Sequence, residues 1–212
     1  MLLLAGCATA ADPGPWRPLF DGSDTSAWRE FGGKDFPKAG WEVKDGCLHL
    51  LRVAEGPQLV TRETFDNYEF EWEWRITARG NNGVKYLVDE ARPSTPGPEY
   101  QMVDDSTTRD PKTQTASFYE VLAPQVATPV RPPGEWNESR MSVRGNHVEH
   151  WLNGVKVLAY ELGSPEVKAG VAKSKFRDVP GFNQKIRGRI LLTNHHSETW
   201  FRKLRIRELP AT

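Results

Sequence analysis

Nine consecutive residues alternate with a strict period of two: Tyr68-Glu69-Phe70-Glu71-Trp72-Glu73-Trp74-Arg75-Ile76. Each even position is aromatic or aliphatic and each odd position is charged. In a strand this puts the apolar side chains on one face and the charges on the other, whereas a helix would spread the charges around its circumference. The segment is therefore a half-buried strand. A strand with one apolar face needs a second layer to cover that face, so the chain has to build at least two packed layers.

Other segments repeat the signal. Val148 to Leu152 and Val155 to Leu158 flank Asn153-Gly154, a pair that tolerates the positive φ of a two-residue type I′ turn and so predicts a hairpin. Further strands are expected at 41–43, 47–51, 83–88, 100–103, 139–143, 188–193 and 200–208. The Pro-rich stretches 91–98 and 124–133 read as loops. Only 166–176 has room for a turn or two of helix. Cys47, inside a predicted strand, is expected to pack as a small hydrophobe. Many short strands cut by turns predict an all-β, antiparallel β-sandwich or jelly roll. At 212 residues the chain fits one such domain without an internal repeat.

The charges balance, with 28 Lys plus Arg against 28 Asp plus Glu, so the basic excess of a nucleic-acid binder is absent. No apolar run approaches the roughly 18–20 residues needed to cross a bilayer as a helix. There is no phosphate-binding glycine loop, His-Glu-x-x-His, paired Cys-x-x-Cys or Gly-x-Ser-x-Gly elbow. The opening Leu4-Ala5-Gly6-Cys7 resembles the lipobox of bacterial lipoproteins. On that reading, residues 1–7 are the remnant of a lipoprotein signal, Cys7 carries lipid, 8–15 form a tether and 16–210 form the sandwich. A single remaining Cys47 then leaves no disulfide framework.

Polar candidates fall in four places. Gly80-Asn81-Asn82-Gly83-Val84-Lys85-Tyr86 puts Asn82 and Lys85 at the start of a strand. Glu99 and Gln101 share a strand face, and Asp104-Asp105 lie where that strand opens into a loop. Trp136-Asn137 precedes another strand, and Asn194-His195-His196 joins the last two. The plainer alternatives are a strand end capped by its own aspartates, a snorkelling lysine stem and surface histidines. His147 and His150 are expected to be structural, on exposed and half-buried faces. Lys168, Lys173, Lys175, Arg177 and Lys185 are expected to form a solvated basic loop. Glu69, Glu71 and Glu73 superficially match the paired carboxylates of a retaining glycosidase, which stand about 5–5.5 Å apart across a sugar cleft. Solvated glutamates are the simpler reading.

Seven ordered blocks resemble the 3-keto-disaccharide hydrolase family. They are Pro18-Leu19-Phe20-Asp21-Gly22-Ser23-Asp24 with Trp28; Trp41 to Gly46; Gly80 to Tyr86; Glu99-Tyr100-Gln101 with Asp104-Asp105; Gly134 to Asn137; Gly145 to Gly154; and Trp200 to Ile206. The resemblance spans about residues 16–209. It implies a concanavalin A- or laminin G-like jelly roll with a site on its concave sheet. It also implies action on glycosides already oxidised at C3, whose ketone acidifies the C2 proton so that the C1 substituent leaves by β-elimination before water adds. Such a site needs a base, a positive or metal group at the enolate oxygen and a proton donor for the leaving group.

The resemblance assigns His195, Lys85 and Asp104 to catalysis. Substrate binding falls to Glu99, Gln101, Asn82, Asp105, Arg202 and Trp136, and Glu99, Asp104 and His195 are the ligands if a divalent metal cation is used. Where relatives read Gln-Asp-His-Gly this chain has Thr193-Asn194-His195-His196, a change expected to leave the fold unharmed. Where many relatives carry His-Pro-Asp after the paired aspartates, this chain has Thr107 to Lys112. The expected partner is carbohydrate, with membrane contact through the lipid anchor only and no nucleic acid. The expected location is the bacterial cell envelope, as a periplasmic or outer-membrane lipoprotein. A non-catalytic carbohydrate-binding module on the same sandwich is the competing reading.

Overall fold

A computed structural model describes residues 12–52, 56–92, 94 and 97–210; Cys7 and the first part of the tether lie outside them. The described residues form thirteen strands and one α-helix. In chain order these are β1 (Arg17–Phe20), β2 (Trp28–Glu30), β3 (Trp41–Lys44), β4 (Cys47–Leu50), β5 (Leu59–Thr61), β6 (Tyr68–Ile76) and β7 (Asn81–Val88). There follow β8 (Glu99–Val103), β9 (Asn137–Arg144), β10 (His147–Leu152), β11 (Val155–Glu161), α1 (Pro165–Ala172), β12 (Arg189–Leu192) and β13 (Thr199–Glu208). An eight-stranded sheet runs β11-β10-β9-β6-β13-β4-β3, with β1 also paired to β13, and a five-stranded sheet runs β2-β5-β12-β7-β8. The pairing is antiparallel throughout both sheets.

The alternation of β6 is realised residue by residue: Tyr68, Phe70, Trp72, Trp74 and Ile76 are buried and the residues between them are not. Trp72 meets Tyr100 of the opposite sheet edge-on at 5.0 Å, so the inner faces interlock. Burying each such side chain contributes about 1.5–3 kcal/mol, and Trp72→Ala would cost about 3–5 kcal/mol. The predicted hairpin closes through Asn153 and Gly154, both at positive φ. Cys47 is buried and free of disulfide, as its strand position implies. His150 is wholly buried rather than half-buried. Its Nδ1 bonds the Ala116 carbonyl at 2.9 Å, so that nitrogen donates, and Nε2 faces the Tyr86 hydroxyl at 3.2 Å.

Three features position the site. The free edge of β8 is covered by residues 116–119: the Ala116 amide donates to Gln101, the Gln101 amide to Ser117 and the Tyr119 amide to Glu99. Tyr100 and Phe118 form the bridge between them. The β12–β13 connection, which carries His195, is clamped at its base by Asn82. That side chain donates to Thr199 Oγ1 and accepts from Thr193 Oγ1, at 2.9 and 2.7 Å. Finally, Gly83 has no Cβ where the Glu99 carboxylate crosses it. A methyl group there would stand 2.1 Å from Glu99 Oε1.

Candidate active site

Parity along β7 decides what reaches the outer face of the five-stranded sheet. Asn82, Val84 and Tyr86 turn inward, so Asn81, Gly83 and Lys85 turn outward. Register then lines up one row: Val60 faces Leu191, Leu191 faces Lys85, and Lys85 faces Glu99. The bridge between Tyr100 and Phe118 puts Tyr119 opposite Glu99 at the far end. His195 joins the row from the loop above.

Lys85 Nζ lies 3.5 Å from Glu99 Oε2, and His195 Nε2 lies 3.5 Å from Glu99 Oε1. The Glu99 and Lys85 side chains are 5% and 12% exposed and His195 is 42% exposed, so the cluster is covered except at the histidine. Burial pushes the Glu99 carboxyl up. The His195 hydrogen bond and the charges of Lys85, His195 and Lys175 outweigh that effect and hold it below the ordinary carboxylate range. An unpaired carboxylate at this depth would cost several kcal/mol, so Lys85 is part of what allows Glu99 to exist as an anion here. Beside Glu99, Gln101 donates to Asn81 Oδ1 at 3.2 Å on the same face.

Of the residues expected at the site, Lys85, Glu99, His195 and Gln101 therefore come together. Asn82 does not: it faces the interior and holds the loop. Thr193 is fully buried and bonded to Asn82, so this position is structural rather than neutral for the fold. Asp104 lies five residues beyond Glu99, roughly 16 Å along an extended strand, and it is spent on local capping. It accepts from the amides of Arg79 and Ser106 and from the Ser106 hydroxyl. The Arg79 amide bond, together with those from Ser106, holds its carboxyl below the usual range. Asp105 accepts from the Thr115 amide and hydroxyl, and burial pushes its carboxyl up.

Trp136 and Arg202 stack on each other at 3.9 Å on the outer face of the eight-stranded sheet, away from this row. The ligand set Glu99, Asp104 and His195 does not assemble, because groups sharing one ion must stand within a few ångströms of one another. No cluster of three or more such ligands occurs among the described residues.

Two residues outside the expected set belong to the row. Tyr119 is half-buried, and Lys175 places its ammonium 4.4 Å from the Tyr119 ring centre. Tyr119 follows a bulged segment with no strand periodicity, and Lys175 sits in what reads as a solvated basic loop.

The glutamates of β6 behave differently. Glu73 bonds Arg202 and Lys203, Glu71 bonds Arg205, and Glu69 bonds Arg207. They are half-buried and ion-paired rather than freely solvated. Of the carboxylates lining the cavity of about 530 Å³ beside Trp16, Glu71 and Glu73 are paired with cations across the strands, and Asp21 accepts from Ser23 and the Asp24 amide.

The family model for the 3-keto-alpha-glucoside-1,2-lyase-like domain matches residues 15–207. A 3-keto-disaccharide hydrolase of Bacteroides thetaiotaomicron is 28% identical over 228 aligned positions, covering 90% of this chain and 77% of that protein. The 1.70 Å crystal structure of a provisionally assigned glycosyl hydrolase from Parabacteroides distasonis ATCC 8503 superposes with a TM-score of 0.80. It is 30% identical, covering 92% of this chain and 94% of that one. A galectin-like protein of unknown function from Bacillus subtilis shares the fold, with a TM-score of 0.55 at 15% identity over 96% of this chain and 99% of that one. The chain belongs to the 3-keto-alpha-glucoside-1,2-lyase-like family.

Proposed function

We propose that the protein cleaves glycosides whose C3 hydroxyl has already been oxidised to a ketone, by removing the C2 proton and expelling the C1 substituent. The convergence of Lys85, Glu99 and His195 on one sheet face carries this reading, together with membership of the family. The ketone makes the C2 proton acidic because the resulting charge moves onto the C3 oxygen. Lys85 supplies a buried ammonium for that oxygen, where low polarity strengthens the interaction. His195 is the base, and the Glu99 carboxylate orients its ring and stabilises the imidazolium as it forms. Gln101 and Asn81 present amides to sugar hydroxyls. No step requires an oxocarbenium ion, so the charge-neutralised β6 glutamates have no part in it.

The 28% identical hydrolase from B. thetaiotaomicron supports a 3-keto-disaccharide as substrate. The test is to incubate the protein with a 3-keto-glucoside and with the parent glucoside and follow release of the C1 substituent. Turnover of the keto sugar alone is expected. Cleavage of the parent glucoside would contradict elimination, and binding of both without release would favour a non-catalytic carbohydrate-binding module. The same reading holds the chain in the bacterial envelope through lipid on Cys7, on the strength of Leu4-Ala5-Gly6-Cys7. Labelled palmitate should be incorporated, and Cys7→Ser should abolish the labelling; equal labelling of both forms would refute the anchor.

A further inference from the structure

Elimination requires a second proton transfer, because the oxygen leaving C1 departs as a strong base unless it is protonated. Lys85 is committed to the enolate oxygen and His195 to the C2 proton. The order of groups across the sheet offers the remaining one. Lys85 on β7, Glu99 with its histidine on β8, and Tyr119 on the segment bridged to the edge of β8 stand side by side, with neighbouring strand backbones about 4.8 Å apart. In the sugar, C3, C2 and C1 are likewise consecutive.

We propose, building on the elimination reading, that Tyr119 donates the proton to the departing C1 oxygen and that Lys175 stabilises the phenolate this leaves. The row then sets the sugar with C3 toward Lys85 and C1 toward Tyr119. Tyr119 is fixed from its backbone by the 3.1 Å bond from its amide to the Glu99 carbonyl. Lys175 is held over the ring through the neighbouring residue, since its amide and its ammonium both bond the Glu120 carboxylate at 3.2 Å. Burial pushes the Tyr119 hydroxyl up while Lys175 opposes that effect, so the phenol carries its proton at neutral pH beside a cation suited to its anion.

The transfers balance. The C2–H bond breaks, its proton passes to His195, and its electron pair forms the C1=C2 bond as the C1–O bond breaks. The departing oxygen takes the Tyr119 proton. Water then bonds to C1 through its oxygen and returns a proton to the Tyr119 phenolate, while His195 returns a proton to C2. Both side chains are restored, and the net change is the addition of one water.

The test is Tyr119→Phe assayed on two 3-keto-glucosides, one linked to a second sugar and one to p-nitrophenol, whose phenolate leaves without protonation. Exchange of the C2 hydrogen with D₂O is followed in parallel. A drop of roughly 10²–10⁴-fold is expected on the sugar-linked substrate. The p-nitrophenyl substrate should be nearly unaffected and C2 exchange should be retained, with Lys175→Ala showing the same pattern at smaller amplitude. Equal losses on both substrates, loss of C2 exchange, or no loss on either would each overturn the role of Tyr119. Wild-type protein that released neither aglycone would instead remove the elimination reading beneath it.

Discussion

The row of carboxylates on β6 and the one carboxylate at the start of β8, on the two outer faces of the sandwich, are treated in opposite ways. On the eight-stranded sheet, Glu69, Glu71 and Glu73 each meet cations of β13 across the strand pair, and a bulge after Arg202 keeps the register so that Arg205 and Arg207 also find partners. Those cations are 28–68% exposed, so the ladder is a solvated, screened set of local pairs. On the five-stranded sheet one carboxylate, Glu99, lies nearly buried among Lys85, His195 and Lys175. A ladder of neutralised pairs stabilises a surface. A single buried anion with a lysine at one oxygen and a solvent-open histidine at the other is an arrangement that can move protons.

The largest effect that would separate the faces is loss of the base. His195→Ala should lower turnover of a 3-keto-glucoside by roughly 10²–10⁴-fold with little change in thermal melting, because the side chain is partly exposed; an unchanged rate would dissolve the contrast. Acid should act on neither face first but on the interior. Burial, against the Ala116 hydrogen bond, depresses His150 to about 4 from its usual 6.5, so the unfolded chain binds this proton before the folded one does. Stability should therefore fall by about 3 kcal/mol as pH drops from 6.5 to 4. Urea titrations across that range should show the slope, and His150→Gln should flatten it. Gly83→Ala should displace Glu99 and cost roughly 10²-fold in rate through misplacement of the site, measured beside an unaltered circular dichroism spectrum. Glu71→Gln on the ladder should change stability by less than about 1 kcal/mol and leave the rate untouched. A large rate loss there would move the chemistry to the other sheet.

How far the sequence carries depends on the range of the interaction. The alternation of β6 and the Asn153-Gly154 turn are local, and both were legible. So was the pairing of Glu99 with Gln101 on one face. The three-residue strands β2 and β5, and β1, were too short to show a period. Asn82 and Lys85 are close in sequence, but three residues of strand put them on opposite faces. Counting extended residues from Glu99 to Asp104 would likewise have separated that pair. Which sheet receives Trp136 and Arg202 depends on pairing between distant strands, and the place of Tyr119 depends on a bulge at Ala116 and Ser117. No nearby pattern encodes either. The strand pattern supplied the fold class, and the family resemblance the expected chemistry. Neither supplied the row that orders the groups.

The most direct test of proton removal at C2 is turnover of a 3-keto-glucoside in D₂O, with the released 3-ketoglucose read at early times by proton NMR. Deuterium at C2 in the product is predicted, with release and incorporation slowed together by roughly 10²–10⁴-fold in His195→Ala. Release of product that keeps its original hydrogen at C2, at a rate unchanged when the substrate carries deuterium there, would mean direct displacement at C1, and the account given for Lys85, Glu99 and His195 would be wrong.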